Sequence, residues 1–241
     1  MSSRKPWHLV LCVALFLSWT LKAEVRAQTM QDGLAAYQAG DYSLAQRVFE
    51  PLAAANDTQA QNMLGLMYAN GYGVDRDGEQ ALKWFRAAAA KDSDTAQYNL
   101  GVIYESSQFV KPNMAEAIKW YRLAASQEHA VAQYNLGMIY LNGSGIKKND
   151  KEAFHWLNLA AAQGDRQAQY HVGTLYEQGR GVKADRTQAF MWLNLANTLG
   201  EEAAQEPLAK LSASMTSEEV ARAKALSTAC FVKYFKDCAA N

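Results

Sequence analysis

The chain has 241 residues, 49% apolar and 20% charged, with 24 basic residues against 24 acidic ones. That length and apolar content support a substantial buried core and argue against intrinsic disorder. The even charge balance excludes a basic footprint for nucleic acid, and the scarcity of proline beside plentiful Ala, Leu, Gln, Glu and Lys favours helices.

Residues 1–27 read as a signal peptide. Arg4 and Lys5 form a basic start, Leu9 to Leu17 is an uncharged apolar run, and Val25-Arg26-Ala27 suits signal peptidase, leaving Gln28 as the new N-terminus. The run is about half the ~20 residues that a membrane-spanning helix needs. Cleavage removes four basic residues (Arg4, Lys5, Lys22, Arg26) and one acid (Glu24), leaving 20 basic and 23 acidic residues, a net charge of −3. The mature chain is therefore expected in the periplasm or outside the cell, with no stable membrane insertion, no nucleic-acid partner and no polybasic patch for anionic lipid.

The middle of the chain is repetitive. Ala60-Gln61-Asn62-Met63-Leu64-Gly65 recurs as Ala96 to Gly101, Ala132 to Gly137 and Ala168 to Gly173, each 36 residues on. A tyrosine follows each glycine (Tyr68, Tyr104, Tyr140, Tyr176), and 16 residues later comes a tryptophan (Trp84, Trp120, Trp156, Trp192). Each unit reads as two helices. In the first, Ala96, Leu100, Ile103 and Tyr104 share one face at helical spacing. A loop follows, with glycine pairs at 71 and 73, 143 and 145, and 179 and 181, but Ser107 and Phe109 in the second unit. The second helix opens on repeated N-cap signals, Asp77 with Gln80, Asn113 with Glu116, Asn149 with Glu152 and Asp185 with Gln188. Its buried face is predicted to hold Ala81, Ala117, Ala153 and Ala189 and then the tryptophans. Gly164 and Gly200 are predicted C-caps, with Asp92 and Glu128 at the equivalent places.

These units resemble Sel-one-like repeats, relatives of tetratricopeptide repeats with a longer inter-helix loop. The resemblance covers four units, 56–91, 92–127, 128–163 and 164–200. The segment Tyr37-Gln38-Ala39-Gly40-Asp41-Tyr42, with Ala45, Phe49 and Leu52-Ala53, resembles the tetratricopeptide-like helix pair that opens exported members, which gives 28–55 as an N-terminal pair. The tail, 201–241, looks like the closing helices, and Thr216 with Glu219 is a capping box within it. The resemblance implies an all-α fold, an α/α solenoid in which helix pairs stack into a right-handed superhelix and first helices line the concave face. A unit cannot bury its apolar face alone, so neighbours must stack.

On a helical wheel Tyr98, Val102 and Glu105 fall opposite the core face of their first helix. The equivalent positions in the other units give a stripe of Asn62, Leu66, Tyr98, Val102, Tyr134, Met138, Tyr170 and Thr174 facing away from the core, and an aromatic and aliphatic stripe suits protein recognition. This is the expected partner-binding surface, for another protein or a cell-wall component. The competing surface is the loop edge, where Phe109 replaces a glycine. Histidines are few, and no metal or catalytic motif occurs, so the chain is expected to act by binding, without metal, cofactor or catalysis. The alternative is an envelope enzyme of the β-lactam or peptidoglycan-fragment hydrolase type, a role linked to cysteine-rich members of the resembled family. This chain lacks their cysteine pair in each repeat. Cys230 and Cys238 remain after cleavage, and an even count in an exported chain predicts a disulfide. A continuous helix would hold their Cα atoms about 12 Å apart, so the chain must leave the helix between them, near Lys236-Asp237.

Protein recovered from its native host is expected to begin at Gln28 on N-terminal sequencing; full-length protein in the cytoplasm refutes the leader.

Overall fold

The computed structural model describes residues 29–106, 109–233, 235 and 238; the leader lies outside them, as do Ser107, Gln108, Lys236 and Asp237. All regular structure among the described residues is helical. An opening pair, α1 (Met30–Gln38) and α2 (Tyr42–Ala54), precedes four longer pairs. These are α3 (Thr58–Asn70) with α4 (Gly78–Ala89), α5 (Asp94–Ser106) with α6 (Met114–Ser126), α7 (Ala130–Asn142) with α8 (Asp150–Ala161), and α9 (Arg166–Gln178) with α10 (Arg186–Thr198). A 3-10 turn (Glu202–Ala204) leads to α11 (Gln205–Ala213) and α12 (Ser217–Val232), which close on α10. From α1 to α10 each helix packs on the one before and the one after, so the array is an α/α solenoid.

The ends of these helices follow from local chemistry. Asp77, Asn113, Asn149 and Asp185 each accept a backbone N–H of the first turn of their second helix. The complete reciprocal box forms at Thr216 with Glu219, as predicted, and also at Thr29 with Asp32. The loop inside every unit is closed by the same bond, from the N–H of residues 77, 113, 149 and 185 to the carbonyl of Tyr68, Tyr104, Tyr140 and Tyr176 at 2.7–3.1 Å. Second helices end on a left-handed residue at a fixed period, Asn56, Asp92, Glu128, Gly164 and Gly200, with φ from 59° to 89°. Two of these are the predicted glycines, and the other three hold a conformation that costs a side-chain-bearing residue about 1–2 kcal/mol.

Within a pair the helices touch at a glycine. A Cβ on Gly65 would fall 2.6 Å from the Phe85 ring, on Gly101 2.5 Å from Tyr121, on Gly137 2.6 Å from Leu157 and on Gly173 2.7 Å from Leu193. The opening pair repeats the contact with Gly33 under Phe49. The partner is the residue after each repeated tryptophan, and it is almost fully buried in all four repeats. This corrects the tryptophan expectation. Trp192 is 1% exposed, but Trp84, Trp120 and Trp156 are half-buried. Stepping one residue along a helix rotates the side chain by about 100°, so the tryptophan turns away from the pair's own contact. Trp120 leans on the cluster formed by α4 and α5, and Trp156 on that of α6 and α7. Trp192 is buried in the larger cluster to which the closing helix contributes Ala223 and Cys230.

The cores straddle the units. One cluster joins Ala81, Leu82, Phe85 and Ala88 of α4 to Ala96, Leu100 and Ile103 of α5; the next joins α6 to α7 in the same way. A row of buried glutamines crosses the same boundaries. Gln61, Gln133 and Gln169 donate to the carbonyls of Ala53, Ala125 and Ala161 at 3.1–3.2 Å, a second donor for acceptors that also take the N–H of Asn56, Glu128 and Gly164 at the end of the preceding second helix. Gln127 and Gln163 in turn donate to Gln97 and Gln133 at 2.8 Å. Arg86 and Arg122 donate to the hydroxyls of Tyr104 and Tyr140, again one unit on.

Cys230 and Cys238 are joined, with Cα atoms 5.1 Å apart. The chain leaves the helix earlier than the Lys236-Asp237 exit expected from sequence. The last helix stops at Val232, and Phe235, at φ 62°, donates its N–H to the Cys230 carbonyl at 3.0 Å.

Two substitutions test this account in chemical denaturation. Gly101→Ala should lower stability by roughly 1–3 kcal/mol through overpacking against Tyr121, against the gain of helix propensity. Glu128→Gly should raise it by about 0.5–1 kcal/mol by releasing left-handed strain. Unchanged midpoints would show that neither contact is tight.

Candidate functional site

The predicted stripe runs along the first helices, but it does not face freely away from the core. Asn62 is buried at 7% exposure and accepts a hydrogen bond from Asn99 Nδ2 at 2.9 Å. Leu66, Tyr98, Val102, Tyr134, Met138, Tyr170 and Thr174 are all half-buried. Leu66 packs on the cluster of α4 and α5, Tyr98 and Val102 on that of α6 and α7, and Tyr134, Met138 and Tyr170 on the C-terminal cluster. Thr174 donates its hydroxyl to the His171 carbonyl at 2.8 Å. The physical reason is the array. The side opposite a helix's own core face meets the following unit, whose core covers part of it. The most exposed row stands three residues earlier at Gln59, Thr95, Val131 and Gln167, again 36 apart, with Val131 45% exposed. The tyrosines are thus walls of the first-helix face, anchored from behind.

The anchoring is specific at the second and third repeats. The Tyr98 ring stacks on His129 at 4.8 Å and lies 5.9 Å from the Tyr121 ring. His129 is itself fixed, since its Nδ1 accepts the Ala132 N–H as the N-cap of α7. The Tyr121 ring is fully buried over Gly101, and its hydroxyl donates to Glu105 Oε2 at 2.6 Å. Burial first, and then this bond to Glu105, push the Tyr121 hydroxyl well above the ordinary tyrosine range. Burial and Glu105 also raise Tyr98, partly offset by a hydrogen bond with Asn135. Tyr134 is raised by burial, Asp165 and Glu201, and lies 6.1 Å from His171. His171 is held below the usual imidazole range by burial, against Glu201 and Asp165. The raised phenols of Tyr98, Tyr121 and Tyr134 remain protonated hydrogen-bonding groups at neutral pH. Sequence reasoning placed Glu105 opposite the core face but missed its partner Tyr121, and it gave no role to the row Asn99, Asn135 and His171, although both are visible as polar residues at the 36-residue period.

The loop edge is built otherwise. At its second loop position a unit touches the first residue of the preceding second helix: Gly73 lies against Tyr42, Gly145 against Met114 and Gly181 against Asp150. In the second repeat the sizes are exchanged, so that Phe109 covers Gly78, leaving no room there for a Cβ. The Arg76 guanidinium lies 4.7 Å over the same ring. Phe109 is therefore a packing residue. At the other end of this edge Arg180 donates to both oxygens of Asp150 at 2.8 and 3.1 Å, which holds the Asp150 carboxyl below its usual range. Among the described residues no three His, Cys, Asp or Glu side chains are grouped to hold a metal ion, and no helix is long and apolar enough to cross a membrane.

A solenoid of 36-residue helix pairs, locked at glycines and cored between units, defines a class of repeat protein. The Sel1 repeat model matches residues 58–93, 94–129, 130–165 and 166–201, and the chain belongs to this family. Its fold is similar to a Sel1 repeat protein from Oxalobacter formigenes, with 37% identity and a TM-score of 0.71 over 76% of this chain and 75% of that one. It is also similar to c5321, a protective antigen present in uropathogenic Escherichia coli strains and displaying an SLR fold. Identity there is 30% and the TM-score 0.74, over 86% of this chain and 46% of the antigen, so the chain spans less than half of that protein. No curated protein sequence matches the chain. The family's repeat solenoids serve as protein-interaction scaffolds.

The exchanged pair on the loop edge gives a double-mutant test. Gly78→Met alone should destabilise through overlap with Phe109 by about 1–3 kcal/mol. Adding Phe109→Gly, which re-creates the Met114–Gly145 arrangement, should recover most of the loss. Additive losses in the double variant, measured by urea denaturation, would show that the two residues do not share one space.

Proposed function

We propose that this protein is an exported interaction scaffold of the cell envelope, periplasmic or secreted, that holds a partner protein in the concave groove lined by its first helices. The observation that carries the reading is the anchored wall of Tyr98, Val102, Tyr134, Met138 and Tyr170. These are large side chains fixed from behind by the next unit and half-open in front. Rigid, partly exposed aromatics lose little conformational freedom on binding and are favoured as anchors. Leu66 and Thr174 extend the wall at its two ends, and Asn62 lies buried behind it, supporting Asn99. The leader read over 1–27 supports export. The loop edge is the weaker candidate because Phe109, the aromatic that stands where the other units have glycine, is already engaged by Gly78 and Arg76.

Double replacement of Tyr98 and Tyr134 by Ala is a poor test, since both pack on core clusters and their loss would loosen the fold. Site-specific photo-crosslinking in the native host avoids this. A benzophenone side chain at Val131 or Met138 is expected to yield a covalent adduct with a partner protein, and one at Lys148 on the loop edge is not. Adducts from Lys148 alone would move the binding surface to the loops.

A further inference from the structure

The second repeat carries a feature that the others lack. At the end of the stripe the four first helices hold Ala69, Glu105, Leu141 and Glu177, and at the position over the glycine the four second helices hold Phe85, Tyr121, Leu157 and Leu193. Only the second repeat combines a carboxylate with a hydroxyl able to hold it. The carboxylate is half-buried and lies on the same stripe as Tyr98 and Val102, and the 2.6 Å bond from Tyr121 is of the short, charge-assisted kind. Tyr121 cannot swing away, because its ring is fully buried against Gly101.

Glu105 stands outside the ion pairs formed among the described residues. It stands in the last turn of α5, where the open carbonyls of a helix C-terminus add partial negative charge and favour cations. A half-buried carboxylate at a helix C-terminus, fixed by a phenol and with no ion-pair partner among the described residues, is complementary to an incoming positive charge. Beside it the wall of Tyr98, stacked on His129, and of Val102 offers a surface for the aliphatic stem that a long basic side chain brings with it.

We propose that Glu105 receives an arginine or lysine side chain of the bound protein, making the middle of the first-helix groove selective for a basic segment, with Tyr121 as the positioning residue. This rests on the groove reading above and adds the charge of the occupant.

The test uses the purified protein and phage-displayed random dodecapeptides. The peptides enriched on it should carry Arg or Lys well above their frequency in the unselected pool. A synthetic copy of the best binder, titrated by calorimetry, should bind Glu105→Gln at least about tenfold more weakly. The isosteric amide keeps an acceptor for Tyr121, so the melting temperature should stay close to that of the parent. Tyr121→Phe leaves the charge but frees the carboxylate, and should weaken binding by a smaller factor. Replacing the titrant's basic residue by norleucine should abolish the difference between parent and Glu105→Gln. Peptides without a basic residue, no enrichment, or equal affinity for Glu105→Gln each overturn the proposal. If affinity then falls with Val131→Lys but not with Glu105→Gln, the groove stands and its charge preference falls. If it falls only with Lys148→Glu and Lys151→Glu, the groove reading falls as well.

Discussion

The structure depends on how closely two helices of a pair can approach. Gly33, Gly65, Gly101, Gly137 and Gly173 remove the Cβ at the point of contact, and a large side chain from the second helix fills the space. In the opening pair the partner stands 16 residues after the glycine (Gly33, Phe49), and in the four repeats 20 residues after it (for example Gly65, Phe85). The four extra residues lie in the inter-helix loop. The longer unit therefore keeps the helix contact of the shorter one and spends its added length on the loop, where the bond to each repeat tyrosine's carbonyl closes it. With the pair fixed by the glycine, the outer faces of both helices are left apolar, and burying them is the task of the neighbours.

That division of labour explains why the cores lie between units. The contact inside a pair centres on the glycine; the alanine-rich clusters, the glutamine bonds to the carbonyls of Ala53, Ala125 and Ala161 and the arginine–tyrosine bonds cross from one unit to the next. It also makes the first-helix face rigid. Tyr98 and Tyr134 are held by residues of the following unit, so a recognition surface built from them is pre-organised by the packing that stabilises the array. The same linkage limits mutational analysis of the surface. A residue that helps to bind a partner also helps to join two units, whereas the exposed row Gln59, Thr95, Val131 and Gln167 stands clear of the clusters that join them.

Much of this was legible in the sequence, for physical reasons that differ from one feature to another. The period, the pairing and the caps are local. Asp77, Asn113, Asn149 and Asp185 bind their own helix, so spacing alone locates them. The contact over the glycine was not legible in the same way, because its partner varies (Phe85, Tyr121, Leu157, Leu193) while the neighbouring tryptophan does not, and attention falls on the invariant letter. The stripe was found but given too much exposure. A helical wheel describes one helix, and the burial of Asn62 and the backing of Tyr98 come from other helices, from Asn99, Tyr121 and His129. Phe109 stood out as an exception at its own position, and Gly78 as one at another. That each explains the other requires knowing that a loop meets the helix of the preceding unit.

That exchange bears on how such an array can be assembled from its parts. Elsewhere on the loop edge a small residue in the later unit faces a larger one in the earlier unit, and repeats joined in any sequence would fit. The second repeat breaks this freedom. Phe109 needs a predecessor whose second helix opens on glycine, and only the first repeat has Gly78 there; behind Met114 or Asp150 the ring would have no space. The first two repeats therefore form a matched couple, an asymmetric key in an otherwise modular chain. Duplication or shuffling of single units is compatible with packing at the other junctions, but at this one the two units must be copied, moved or lost together.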